Sequence, residues 1–243
     1  MNTKLTSKNQ KHIFKFKQFE VDQTGCAMKI NTDGVLLAAL VESNNPKRIL
    51  DIGTGTGVLA LMLAQRFISA QIEAVEIEEQ ASATAKKNFQ LSVFNDRLNV
   101  ENTSIQQYKS NDQFDLIISN PPFFVNDLKN IEEKKGIARH TNEVFFDELI
   151  AKVNALLIDS GSFWFILPIK QAELLVERAN DYNFKPVKII HLHSDKFKLA
   201  FRYIVCLKRN STSIKIDHFY IYEDEKIYTR AYKELLKDFF LGY

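Results

Sequence analysis

The run Phe114-Asp-Leu-Ile-Ile-Ser119, which ends abruptly at Asn120-Pro121-Pro122-Phe123, constrains the fold more than any other stretch of the chain. A short apolar segment rich in β-branched residues reads as a strand buried on both faces, the pattern of a parallel sheet. Neither proline can donate to a ladder, and each fixes its own φ while restricting the residue before it. The strand therefore ends in a stiff loop carrying an amide and an aromatic ring. Open α/β sheets bind their ligands at the carboxyl ends of strands.

The neighbouring sequence repeats the same grammar. From Arg48 onward, apolar strand runs alternate with helical patterns, as in a parallel sheet. Strands are expected at 48–52, 71–75, 98–103, 114–119 and 162–167, with helices at 57–67, 77–91, 142–158 and 170–182. Residues 127–140 read as a charged, partly ordered excursion with Gly136 as a break. After Pro186, residues 187–193 and 200–208 read as an antiparallel strand pair, 214–222 as a further strand and 229–240 as a closing helix. Ahead of the sheet, a strand at 12–20 is expected to turn at Gly25 into residues 27–30, followed by a helix over 35–41 capped by Thr32 or Asp33. A single domain of 1–243 with an extension at 1–47 is the economical reading, since 45% hydrophobic and 26% charged residues suit one soluble globular unit. Cys26 and Cys206 are too few for a disulfide framework or a CxxC metal site, which fits a reducing cytoplasm. The opening residues lack the apolar core of a signal peptide, and no apolar run reaches the ~18–20 residues of a membrane span.

Asp51-Ile-Gly53-Thr54-Gly55-Thr-Gly57 joins the first strand of the sheet to its helix. Glycines there let the backbone turn sharply and approach a ligand. The spacing is G-x-G-x-G, whereas the dinucleotide fingerprint is G-x-G-x-x-G. Asp51 would repel a pyrophosphate and attract the ammonium of an amino-acid ligand. Glu76, ending the next strand, suits the two hydroxyls of a ribose and serves either cofactor class. Asp51 and the Asn-Pro-Pro-Phe loop together favour S-adenosylmethionine, and with it methyl transfer to a flat, amine-bearing substrate.

On these motifs the chain resembles the class I S-adenosylmethionine-dependent methyltransferases. Within that class it is similar to the bacterial tRNA1(Val) adenine N6-methyltransferases. The narrower resemblance rests on Phe16-Lys-Gln-Phe19 with 27–37, on 119–124 followed by Ala138-Arg139-His140, and on the ending 228–241. It implies a doubly wound, seven-stranded, Rossmann-like sheet, mostly parallel with an antiparallel C-terminal pair. It further implies that Asp51, Gly53, Thr54, Gly55, Gly57, Glu76, Ser104 and Asn120 hold S-adenosylmethionine, Ser104 standing where many relatives place an acid or amide. Asn120, Pro121, Pro122 and Phe123 would carry catalysis, and Phe123, Phe124, Arg139 and His140 would meet the anticodon loop of the tRNA. The loop alone leaves guanine N2 of ribosomal RNA, a release-factor glutamine, or a non-catalytic RNA-binding module as alternatives.

The chemistry follows from the residue types. A purine amine is a poor nucleophile because its lone pair is delocalised into the ring. Acceptors on both amine hydrogens, the Asn120 side-chain oxygen and the Pro121 carbonyl, would draw that nitrogen toward a pyramidal shape. Phe123 would stack on the base. No catalytic histidine and no metal are assigned. His191 and His193 alternate on one strand face, read as strand surface because further ligands are not evident. Lys185, Lys188, Lys196, Lys198, Arg202, Lys208, Arg209 and Lys215, with the N-terminal lysines, are expected to meet phosphates.

Overall fold

The computed structural model describes residues 12–26, 28–122 and 133–242, and the side chains of all of these except 133–142. The elements run β1 (Ile13–Lys15), β2 (Glu20–Asp22), α1 (Thr32–Leu40), β3 (Arg48–Ile52), α2 (Val58–Arg66), β4 (Gln71–Glu76), α3 (Glu79–Leu91), β5 (Leu98–Asn102) and β6 (Phe114–Ser119). They continue as α4 (Glu133–Leu156), β7 (Leu157–Leu167), α5 (Ile169–Ala179), β8 (Phe184–His193), β9 (Ala200–Arg209), β10 (Lys215–Tyr220), β11 (Tyr222–Asp224), β12 (Ile227–Tyr228) and α6 (Arg230–Leu236).

Eight strands form the central sheet in the order β10-β8-β9-β7-β6-β3-β4-β5. Every neighbour pair is parallel except those made by β9, which runs against both β7 and β8. The sheet is mostly parallel, as expected, and the further strand at the C-terminus makes it one strand wider than seven. Side chains alternate across it. Ile49, Leu116, Ile118, Trp164 and Ile166 feed one core, and Leu50, Ile52, Ile117, Phe163 and Phe165 feed the other. The chain lays down β3, β4 and β5 outward in one direction and then returns to place β6 on the other side of β3. This reversal opens a crevice at the carboxyl ends of β3 and β6.

Three local expectations are corrected. The N-terminal hairpin pairs β1 with β2 and turns at 16–19, not at Gly25. Phe16 and Phe19 stack at 4.5 Å and are buried, so the aromatic pair fixes the turn. The cap of α1 is Asn31, whose Oδ1 accepts from the Gly34 N–H at 2.9 Å, and not the expected Thr32 or Asp33 one and two residues later. Residues 133–140, read as a charged excursion, are the opening turns of α4, and Gly136 does not break it. A glycine within a helix costs about 1 kcal/mol; burial of Phe146, Leu149, Ile150 and Val153 anchors this one more strongly.

The N-terminal hairpin meets the segment after α6. Phe16 bridges to Phe240, the Lys17 N–H donates to the Phe239 carbonyl at 2.8 Å, and Phe14 and Phe16 pack on Phe240. The hairpin is also bolted to the sheet side by Asn88 of α3, a buried side chain with all of its described bonds to backbone. Its Nδ2 donates to the carbonyls of Asp22 and Thr56 at 2.9 and 2.8 Å, and its Oδ1 accepts from the Asp22 N–H at 2.9 Å. One amide thus ties the extension to the glycine loop. Asn88→Ala should therefore lower unfolding stability by ~1–3 kcal/mol, the range for stranding buried polar groups, measured by urea denaturation at constant m-value.

Candidate active site

The crevice between β3 and β6 is built by their register. Ile52 pairs with Ser119, and the Ser119 hydroxyl donates to the Ile52 carbonyl at 2.9 Å. The loops leaving the two strands, 53–57 and 120–122, consequently start side by side. They open on a cavity of about 390 Å³ lined by Gly53, Gly55, Glu76, Ser104, Asn120, Pro121 and Pro122 among others.

The glycine loop divides into two roles. A Cβ built on Gly53 or Gly55, both at positive φ, would meet nothing within 4 Å, so these backbones face open space. On Gly57 (φ 84°) it would lie 2.5 Å from Phe89, so this glycine serves close packing of the loop on α3. Thr54 is buried behind the loop, and its Oγ1 donates to Asp51 Oδ2 at 2.6 Å. Neither Thr54 nor Gly57 lines the cavity.

Asp51 lies beneath the loop with no exposure. Burial pushes its carboxyl from 3.8 up to about 7, and the charge of Glu76 adds to that. The Thr54 hydroxyl and, most weakly, the Ala60 amide pull the other way. Its Oδ1 has no hydrogen-bond partner of good geometry among the described residues. Glu76 is held by backbone: Oε2 accepts from the Gly55 N–H at 2.8 Å and Oε1 from the Glu78 N–H at 2.9 Å. Each oxygen keeps a further acceptor site, so a pair of hydroxyls can still be bound.

The far wall is the turn after β5. Ser104 lines it, and its Oγ accepts from the Gln107 N–H at 3.3 Å while its carbonyl takes the Tyr108 N–H. Asn120 is half-buried at the opposite side. The first turn of α1 comes up against it, because Gly34 has no side chain: a Cβ there would meet Leu59 at 2.9 Å and Asn120 Nδ2 at 3.5 Å. Asp33 of the same turn is paired with Arg202 of β9 at 2.8 Å. Phe123 and Phe124 lie outside the described residues. Arg139 and His140 fall in the first turns of α4, their side chains outside the description.

Sequence reasoning did not anticipate the apolar lining. Cys26 and Met28 of the extension and Phe145 of α4 border the cavity, as do Ile77, Ala81 and Ile105. The Gln106 amide, on the same wall, bonds Glu148 of α4 at 2.7 Å. These side chains come from segments distant in the chain, and only the presence of aromatic and sulfur residues beside turn motifs hinted at them.

A glycine loop under a buried acid, an acid at the end of the next strand, and an Asn-Pro-Pro loop across the switch point can be compared directly with known proteins. The profile of the methyltransferase small domain family matches residues 26–199. The chain belongs to that family. It is 54% identical over 233 residues to a Pedobacter heparinus protein named tRNA1(Val) (adenine(37)-N6)-methyltransferase, covering 96% of this chain and all of the relative. A Flavobacterium psychrophilum protein of the same name is 39% identical over 94% of this chain and 99% of its own. Among solved structures, a predicted O-methyltransferase from Agrobacterium tumefaciens superposes with a TM-score of 0.67 at 19% identity, covering 85% of this chain and 96% of that one. At that identity the likeness speaks to the fold, an α/β methyltransferase sheet.

The buried acid of this family member has a measurable consequence. Because the folded-state pKa of Asp51 lies above its unfolded value of 3.8, the folded state holds a proton that the unfolded chain has released. Its contribution to stability is intact below that value and is lost as pH rises toward about 7. Asp51→Asn should remove this loss. The variant's stability relative to the parent should grow between those pH values and level off above, read by thermal or urea unfolding.

Proposed function

We propose that this chain transfers a methyl group from S-adenosylmethionine to N6 of the adenine at position 37 of tRNA1(Val). One observation carries the reading. The Asn120-Pro121-Pro122 loop and the Gly53–Gly55 loop open on the same cavity at the sheet's switch point, in a chain whose relatives match it end to end.

The residues present fit the cofactor. Gly53 and Gly55 leave bare backbone toward the cavity where a side chain would intrude, and Glu76 offers acceptors for a ribose. The unpartnered Oδ1 of Asp51 gives the site a buried acceptor beneath the loop, suited to an ammonium acting directly or through water. Ile77, Ala81 and Ile105 with Ser104 form an apolar wall for a flat ring. Bound there, S-adenosylmethionine supplies an electrophilic methyl on a positive sulfur.

The protein's own part is binding and orientation. The Asn120 side-chain oxygen and the Pro121 carbonyl accept from the two hydrogens of the substrate amine, and the prolines keep both acceptors stiff. Fixing the reacting groups in line is worth roughly 7–11 kcal/mol of a barrier. A strong base is unnecessary, since the amine becomes acidic once methylated. Phe123 is assigned the stacking of the turned-out base.

Ion pairing and strand direction support a contact with RNA at some of the basic residues more than at others. Lys188 is paired with Glu42 and Asp217, Arg202 with Asp33, and Arg209 with the carbonyls of Asn154, Leu157 and Ile158. The starts of β8 and β10 and the end of β9, with Lys185, Lys208 and Lys215, lie at the edge opposite the cavity. The loop 194–199 instead lies at the cavity's edge, because β8 runs in the same sense as β6. Two to three strand spacings, about 10–14 Å, separate it from the end of β6. Phe197 and Leu199 are 84% and 91% exposed there, with Lys196 4.9 Å from the Phe197 ring. An exposed ring beside Lys196, with Lys198 paired to Asp195 at 3.0 Å, suits a single-stranded RNA loop.

Two experiments test this. Nucleoside mass spectrometry of tRNA1(Val) from cells lacking the gene should show loss of N6-methyladenosine at position 37, and unchanged modification overturns the substrate. Purified Asn120→Ala should still bind the cofactor and transfer methyl about a hundredfold or more slowly, as when one positioned hydrogen-bonding group is lost. For the edge loop, Phe197→Ala combined with Lys196→Ala should raise KM for tRNA with little change in cofactor affinity and flatten the salt dependence of binding.

A further inference from the structure

His191 and His193 of β8 point to one face of the sheet, being two residues apart. The parallel pairing of β10 with β8 sets His218 directly beside His191, on that same face. One ring nitrogen from each of the three residues lies within 4.8 Å of the other two. The sequence supplied two of these ligands from one strand; the third comes from a strand that follows it in the chain by a long excursion through β9.

The protonation pattern favours a ligand. His193 is buried, and its Nδ1 lies 2.8 Å from the Lys198 carbonyl, which can only accept. Nδ1 therefore carries the hydrogen and Nε2 presents its lone pair, the arrangement that fixes metal-binding histidines through a backbone carbonyl. That Nε2 faces Nδ1 of His218 at 2.9 Å. His218 is exposed, so its proton can move to its other nitrogen at little cost and leave two lone pairs facing one another. Around a tetrahedral ion with bonds of about 2.0–2.1 Å, nitrogens stand about 3.3 Å apart. To reach that spacing the closest pair, now at 2.9 Å, would open by a few tenths of an ångström, and His191 would rotate inward to close separations of up to 4.8 Å. Tyr203 stacks on His191 at 4.2 Å and Tyr220 on His193 at 4.8 Å, so an aromatic ring flanks each imidazole.

We propose that His191, His193 and His218 bind one divalent transition-metal ion of the zinc class, with water completing the coordination. Three neutral imidazoles suit zinc, copper, nickel or cobalt, and disfavour magnesium and calcium, which require oxygen donors. The ion would cross-link β8 to β10. Through the Lys198 carbonyl bonded to His193, it would also brace the exposed loop 194–199. The site is structural and does not rest on the methyl-transfer reading.

The test uses the full-length protein stripped with chelator and dialysed. Zinc is titrated by calorimetry, cobalt by visible absorption, and thermal unfolding is followed with and without zinc. One equivalent should bind, the cobalt spectrum should show the bands of nitrogen coordination, and zinc should raise Tm. His218→Gln, at an exposed position where the fold is not at stake, and His191→Gln should each weaken binding by about tenfold or more. His12→Gln, at another exposed histidine, should leave it unchanged. Absence of binding at micromolar zinc, or affinity undiminished in both variants of the trio, overturns the site.

Discussion

The pairing of β3 with β6 is the contact on which the rest depends. It is the point at which the chain, having built outward through β4 and β5, turns back to the centre of the sheet. Because both strands are parallel and in the register Ile52 opposite Ser119, their carboxyl ends coincide, and the Ser119 hydroxyl locks that coincidence. Two loops of opposite chemistry then share one cavity. The glycine loop offers bare backbone over a buried acid, and the proline loop offers rigid acceptors. Shift the register by one residue and every side chain of β6 changes face.

Around that pair, the cavity is completed by segments with no role in the sheet. The extension reaches it through Cys26 and Met28, and α4 through Phe145. The extension can do so because it is held to α3 by Asn88, Thr84 and Lys87 and to the segment after α6 by the Phe16–Phe240 bridge. The discriminating stretches at the two termini, read separately along the sequence, are one packed unit. Binding surface and stability are coupled through it.

The basic residues of 185–215 illustrate how a linear charge run is sorted in space. Strand reversal sends half of them to the edge away from the cavity, and ion pairs with Glu42 and Asp217 and with Asp33 of α1 claim Lys188 and Arg202. What remains at the cavity's edge is a short loop with an exposed Phe197 between Lys196 and Lys198. The same reversal assembles the histidine trio, since β10 returns beside β8 after β9 has been inserted on the other side.

By itself the sequence determined the alternation of strand and helix, the turn at Gly53–Gly57, the acids Asp51 and Glu76, and the stop at Asn120-Pro121-Pro122. These are legible because they rest on local physics: apolar periodicity, backbone freedom at glycine, and the missing N–H of proline. Boundaries set by burial were not legible. The hairpin turn moved to Phe16–Phe19 because two rings packed together, and α4 ran through Gly136 because its later turns are buried. Only the tertiary structure decided that Thr54 and Gly57 stand behind the loop while Gly53 and Gly55 face the cavity. It alone joined Asn88 to the extension and His218 to His191 and His193. Such juxtapositions depend on strand order and register, which are set by the packing of the whole sheet and leave no mark at a fixed spacing along the chain.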